Sequence, residues 1–195
     1  MMKKIITISR EYGSGGREIG RRLAEELGVP FYEKNLIDKV AKETGLSEKY
    51  VESQGEYAPQ KNIFAYAFVG RDSEGSSVGD RLYNAQTKII RQIAEEGSCV
   101  IVGRCADYIL RDRKDCVHVF IHGEKEVKCK RIMELYHLTK EEAIREMHSM
   151  DKKRAINYNY YTEQNWGKVD NYTITLNSSE LGYEKCIQLI KLCME

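Results

Sequence analysis

The chain has 195 residues, 42% hydrophobic and 31% charged, with 31 basic against 30 acidic side chains and a net charge of +1. That is an ordinary globular mixture, long enough for one domain with a real core or two very small ones. The balanced charge gives no general field for nucleic acid or an anionic membrane, so any anion site must be local. No run of about 18 apolar residues is present to span a bilayer. The apolar stretch after Lys4 stops at Ile8, too short for a secretion segment. Six cysteines without Cys-x-x-Cys or metal-ligand spacing read as reduced, mostly buried thiols, and a cytoplasmic location is the expectation.

In chain order, Ile5 to Ile8 is a short β-branched run that ends at the glycine-rich stretch Gly13-Ser14-Gly15-Gly16. From Arg17 to Leu27 the residues Ile19, Leu23 and Leu27 recur every four positions, one face of a helix, which Gly28-Val29-Pro30 stops. Phe31-Tyr32 reads as a brief second strand and Leu36 to Thr44 as a helix. Residues 53 to 80, with Gly, Ser and charge around 70–77, read as an exposed, mobile segment. Arg81 to Glu96 is helical, and Cys99-Val100-Ile101-Val102 is a fully apolar strand. A helix near Ala106 to Leu110 and the strand Val117 to Ile121 follow. Glu124 to Tyr136 is helical, and Thr139-Lys140-Glu141-Glu142 is a capping-box start for another helix. Tyr172 to Leu176 is the last strand and Leu181 to Leu192 the last helix.

Strands separated by helices of this length imply parallel βαβ crossovers and a sheet covered on both faces, with ligands beyond the carboxyl ends of the strands. The segments 9–18, 103–107 and 122–124 fall at such ends, and three motifs carry the chemistry. In the first, Ser9 to Gly20, a strand, a glycine-rich turn and an amphipathic helix read either as a phosphate cradle, with glycines letting amides point inward and the helix N-terminus adding partial positive charge, or as a tight packing turn. The loop lacks the lysine and hydroxyl of Gly-x-x-x-x-Gly-Lys-[Ser/Thr]. Arg17 and Arg10 either supply the missing charge or are solvated. In the second, Gly103 ends a buried strand and places Arg104 at its carboxyl tip, where it faces the ligand crevice or pairs with Asp107 on the surface. The third is Asp151-Lys152-Lys153-Arg154, near the end of a predicted helix, either a solvated face or a lid closing over transferred phosphate. The run Tyr158 to Tyr161 reads as core or interface packing, as do His118 and His122.

These pieces, together with Asn157 to Thr162 and Trp166-Gly167, resemble the cytidylate kinase-like family, a branch of the P-loop nucleoside monophosphate kinases, over most of the chain. The resemblance implies a three-layer α/β fold of about five parallel strands. It also implies transfer of the terminal phosphate of ATP, with Mg²⁺, to CMP or dCMP. Laid over that family's loop, Gly16 falls at the lysine, Arg17 one place later and Glu18 at the magnesium-binding hydroxyl. Gly103-Arg104 survives from Asp-Gly-Arg-Asp, Asp151 and Arg154 match the lid's Asp-x-x-Arg, and Glu33 is a counterpart of the acceptor-side aspartate. One domain, 1–195, is expected, with a monophosphate-binding insertion at 34–80 and a lid-like segment at 139–168. Gly13, Ser14, Gly15, Gly16, Arg17 and Glu18 would hold the nucleotide, with Glu18 a candidate for the metal. Arg10, Glu33, Arg104 and Asp151 would hold the acceptor, and Arg17 and Arg154 would act in catalysis. A second reading is a non-catalytic nucleotide or anion sensor on the same scaffold. Neither reading calls for nucleic acid or a membrane.

Overall fold

The structure, a computed structural model, describes residues 4–54 and 77–195. In chain order the elements are β1 (Ile5–Arg10), α1 (Gly16–Leu27), β2 (Phe31–Tyr32), α2 (Lys34–Thr44), α3 (Glu48–Gln54) and α4 (Val78–Glu96). Then come β3 (Cys99–Val102), α5 (Ala106–Ile109), β4 (Cys116–His122), α6 (Lys125–Tyr136) and α7 (Lys140–Thr162). A 3-10 turn (Val169–Asn171), β5 (Ile174–Asn177) and α8 (Ser178–Leu192) complete the chain.

The strands form one all-parallel sheet in the order β2-β3-β1-β4-β5. β1 is central and buried on both faces: Ile5, Ile6, Thr7 and Ile8 are no more than 1% exposed, and helices cover both sides. Ile5 stands opposite Cys99 on β3 and Cys116 on β4. After β1 the chain runs to β2 at one edge, returns to β3, and then crosses to β4 on the other side. Strand order reverses at β1, which opens a crevice above its carboxyl end.

One core layer packs Ile19 and Leu23 of α1 and Ile187 and Ile190 of α8 against the sheet. On the other face, residues of α2, α4 and α5 pack with Ile5, Ile101 and Tyr158. A third, smaller cluster joins α6 to the first half of α7 through Cys129, Ile132, Ala143 and Met147. The α6–α7 hairpin thus has its own core beside the crevice.

Element boundaries differ from the sequence reading in several places. The helix α3 was not legible in the pattern. Asp151 to Arg154 and the tyrosine run both lie within α7, whose 23 residues begin at the expected capping box, Thr139 with Glu142. The last helix begins at Ser178, capped by the Asn177 side chain, and is kinked at Gly182. Of the segment 53–80, residues 55–76 lie outside the described residues, whereas Val78 to Asp80 form the first turn of α4, capped by Ser77. All six cysteines are free. Among the described residues no helix is long and apolar enough to cross a membrane.

Candidate functional site

Between β1 and α1 the chain folds back on itself. Glu11 N donates to Ile121 O on β4 (2.9 Å), Ser14 Oγ to Glu11 O (2.8 Å), and Ser178 Oγ to Ser14 O (2.5 Å). Ser14 is fully buried, so its role here is to shape the loop. Gly15, at φ +79°, is the N-cap of α1 and offers no side-chain acceptor. The first helical bond is Ile19 N to Gly15 O (3.0 Å). The amides of Gly16, Arg17 and Glu18 precede it, have no intrahelical acceptor, and sit at the positive end of the helix. A Cβ on Gly15 would lie 2.5 Å from the Tyr183 ring, and one on Gly16 would lie 2.6 Å from Arg10 Cβ. Packing against Tyr183, Arg10 and Ile121 therefore leaves no room for a side chain at either position.

Above the loop lies a cavity of about 450 Å³, whose lining includes Arg10, Arg17, Arg131 and Arg154. Glu33, at the end of β2, sits between two of them, 3.6 Å from Arg10 Nη2 and 2.5 Å from Arg17 Nε. Arg17 is 68% exposed, whereas Arg10 and Arg154 are 12% and 10% exposed. Buried guanidinium groups are poorly screened and attract an anion far more strongly than surface ones. Arg154 Nη1 donates to Arg10 O (3.1 Å), and its guanidinium lies 5.5 Å from the centre of the Tyr12 ring. Arg131 Nη1 donates to Gly13 O (2.5 Å).

Beneath the loop a second charged group holds it in place. Asp151 accepts from Tyr12 N (2.6 Å) and lies 3.7 Å from Arg154. Burial pushes its carboxyl upward against the pull of that amide and of Arg154 and Lys128. Lys128, 8% exposed, donates to Glu11 Oε2 (2.7 Å) and lies 3.9 Å from Asp151 Oδ2. Glu11 Oε2 also accepts from Gly123 N (3.2 Å). Lys128→Met would leave two partly buried carboxylates facing each other without their shared cation. It is expected to cost about 2 kcal/mol in denaturant unfolding, discounted for the exposure of both partners.

Glu18 does not point to a metal in this arrangement. It pairs with Arg21 and Arg22 of its own helix, both at 2.7 Å, and these hydrogen bonds hold its carboxyl down at about 2. Among the described residues, no group of three or more His, Cys, Asp or Glu side chains converges as a metal cage.

Past β3 the chain makes a left-handed turn: Gly103, Arg104 and Cys105 have φ of 74°, 60° and 54°. Two non-glycine residues in that region cost free energy, which the surrounding structure must offset. The turn aims Arg104 at Val51 O (3.4 Å) and Gln86 Oε1 (3.5 Å). Asp107 is buried elsewhere, accepting from Tyr158 Oη (2.7 Å) and Ser9 Oγ (3.3 Å), so the surface Arg104–Asp107 pair allowed by the sequence is not formed.

Burial is the main cause that raises the Asp107 carboxyl to about 6. Tyr158, Tyr172 and Cys105 face it, and His118 and Arg111 line the polar cavity beside it. The folded chain therefore binds this proton more tightly than the unfolded chain. The stability this gives is present at about pH 4 and is lost as pH rises toward the folded value. Asp107→Asn removes that slope, so in thermal melts it should gain a few degrees on the parent between about pH 4 and pH 7. A gap that stays constant over that range would count against a raised carboxyl.

The profile of the cytidylate kinase-like family matches residues 5–180. The chain belongs to this family. Among solved structures it is similar to an uncharacterised protein from Eubacterium ventriosum, at 30% identity and a TM-score of 0.76 over 98% of both chains. Two further likenesses show the fold alone. One is to shikimate kinase from Bacteroides thetaiotaomicron (17% identity, TM-score 0.56, 98% of both chains). The other is to a gluconokinase from Sinorhizobium meliloti (14%, TM-score 0.53, 99% of this chain and 94% of that one). No curated protein matches.

In this cytidylate kinase-like protein the cavity collects Arg10, Gly13, Gly15, Gly16, Arg17, Glu18, Glu33 and Arg154 from the residues singled out in the sequence. Arg104 borders a separate small cleft that also touches Arg10 and Arg154, and Asp151 lies under the loop. Sequence reading included Glu11 and Tyr12 in the loop motif without giving them a role, and it missed Lys128, Arg131 and Tyr183. Lys128 had a signal: it shares the buried stripe of α6 with Cys129 and Ile132, where a lysine needs a charged partner. Arg131 and Tyr183 come from helices distant in sequence, and no local pattern marks them.

Proposed function

We propose that this kinase-like chain transfers the terminal phosphoryl group of ATP to a small acceptor, with CMP or dCMP the first to test. The observation that supports this is the convergence of Arg10, Arg17, Arg131 and Arg154 on one cavity above the open N-terminus of α1. Phosphoryl transfer needs in-line positioning and stabilisation of charge on the moving oxygens, and little covalent chemistry from the protein. The loop suits a phosphate chain because its first helical amides have no intrahelical acceptor and no side chain on Gly15 or Gly16 screens them. Magnesium bound with ATP would supply charge neutralisation at the phosphates. Glu18 would have to leave Arg21 and Arg22 to reach it.

In this reading the amides of Gly16, Arg17 and Glu18 with Arg131 hold the donor phosphates, and Arg154 meets the developing charge. Arg10, Glu33 and Arg104 face the acceptor, α2 and α3 contribute to its side of the crevice, and the α6–α7 hairpin serves as the lid. The bond from the γ-phosphorus to the ADP oxygen breaks as one to the acceptor oxygen forms. A phosphate acceptor gives up no proton, whereas a hydroxyl acceptor would pass one to Glu33.

The test is ADP release from ATP-Mg²⁺ across nucleoside monophosphates, with shikimate and gluconate added because the structural neighbours named above are kinases of those classes. Turnover is expected with at least one acceptor. ATP binding without turnover of any acceptor would favour the sensor reading. No binding at all would reduce the loop to a turn.

A further inference from the structure

Asp107 takes no part in the roles assigned above, yet it is one of the most deeply buried charged side chains among the described residues, at 3% exposure. It sits two residues past the strained Arg104-Cys105 turn, in the first turn of α5. Its two oxygens accept from two different elements. Oδ2 takes the Tyr158 hydroxyl of α7 (2.7 Å) and Oδ1 the Ser9 hydroxyl of β1 (3.3 Å). Each donor stands beside a cavity arginine. Ser9 precedes Arg10 in β1, and Tyr158 lies one helical turn beyond Arg154 on the same face of α7. Arg154 in turn donates to the carbonyl of Arg10 (3.1 Å), which closes a ring of contacts between the strand and the long helix.

A carboxylate suits this place. Each of its oxygens takes one hydroxyl, whereas an amide would turn its NH2 donors toward one of them. Burial drives the Asp107 proton affinity upward, so a carboxyl here costs more than a neutral side chain of the same size would. Farther up α7, Asp151 fastens the helix to the loop through Tyr12 N (2.6 Å). Arg154 is thus bracketed, with one anchor a turn before it and another a turn after.

We infer that Asp107 is a positioning residue of the phosphate site: through Tyr158 it clamps α7 onto β1 and fixes Arg154 above the loop. This rests on the reading of that cavity as a phosphate site. The clamp acts on the anion through Arg154, so its removal matters only while Arg154 is present.

The experiment is a double-mutant cycle on the full chain, with inorganic pyrophosphate as the probe in calorimetric titrations. Asp107→Asn is expected to weaken binding about fivefold, and Arg154→Ala about tenfold. In the Arg154→Ala background, adding Asp107→Asn should weaken binding less than about twofold. Tyr158→Phe, which keeps the ring and removes only the donor, should repeat the pattern if Asp107→Asn folds poorly. A general structural role predicts the same loss with and without Arg154, and that result would overturn the inference. Pyrophosphate binding to the parent with no coupling removes this inference alone, whereas no binding to the parent removes the phosphate-site reading with it.

Discussion

Gly16→Lys, which writes the usual phosphate-loop lysine back into this chain, is expected to damage the protein rather than improve it. A Cβ at Gly16 would stand 2.6 Å from Arg10 Cβ and 3.2 Å from Ile121 Cβ. Both are atoms fixed close to backbone, in β1 and β4, and neither can swing away as a side-chain tip would. Overpacking of this kind costs about 3 kcal/mol, and the strain falls on the turn that presents the loop amides. The added ammonium would also enter a cavity that already holds four guanidinium groups. Thermal melts should show the loss of stability, and calorimetry with ADP should show weaker binding than in the parent. Tighter ADP binding at unchanged stability would mean that the loop still has room for its missing lysine.

The same crowding explains why the loop reads as defective in sequence. Position 16 lacks a lysine because Arg10 passes through that space on its way to Glu33. Positive charge reaches the cavity from β1, α1, α6 and α7 instead of from the loop itself. Sequence periodicity was enough to read the parallel α/β fold, because each strand and helix carries its own apolar pattern and stop signals. Arg10, Arg17 and Arg154 were legible because they lie beside motifs. Arg131, Lys128 and Tyr183 were not, since their roles arise only when α6 and α8 pack beside the loop. The strained turn at Arg104 and Cys105 was equally hidden, because nothing in Gly-Arg-Cys requires two left-handed residues after the glycine.

If the cavity transfers a phosphoryl group, Arg154→Ala should lower kcat by about 10²–10³-fold, the usual loss when one preorganised group facing developing charge is removed. Arg154 is suited to that role by its constraints. Its guanidinium is 10% exposed, stacked near Tyr12, bonded to the Arg10 carbonyl and 3.7 Å from Asp151. Binding of the ground-state anion should fall much less, about tenfold, because loop amides and the other arginines remain. Arg154→Lys keeps the charge but has no planar fork, so one ammonium would have to serve the Arg10 carbonyl and the phosphoryl oxygens together; most of the lost rate should stay lost. Steady-state kinetics on the accepted substrate separates these effects. A drop confined to KM, with kcat unchanged, would make Arg154 a binding group only and shift the catalytic role toward Arg17. Arg17 approaches the same cavity from α1 while pairing with Glu33 at 2.5 Å. The split between kcat and KM therefore decides which arginine stands in for the absent lysine.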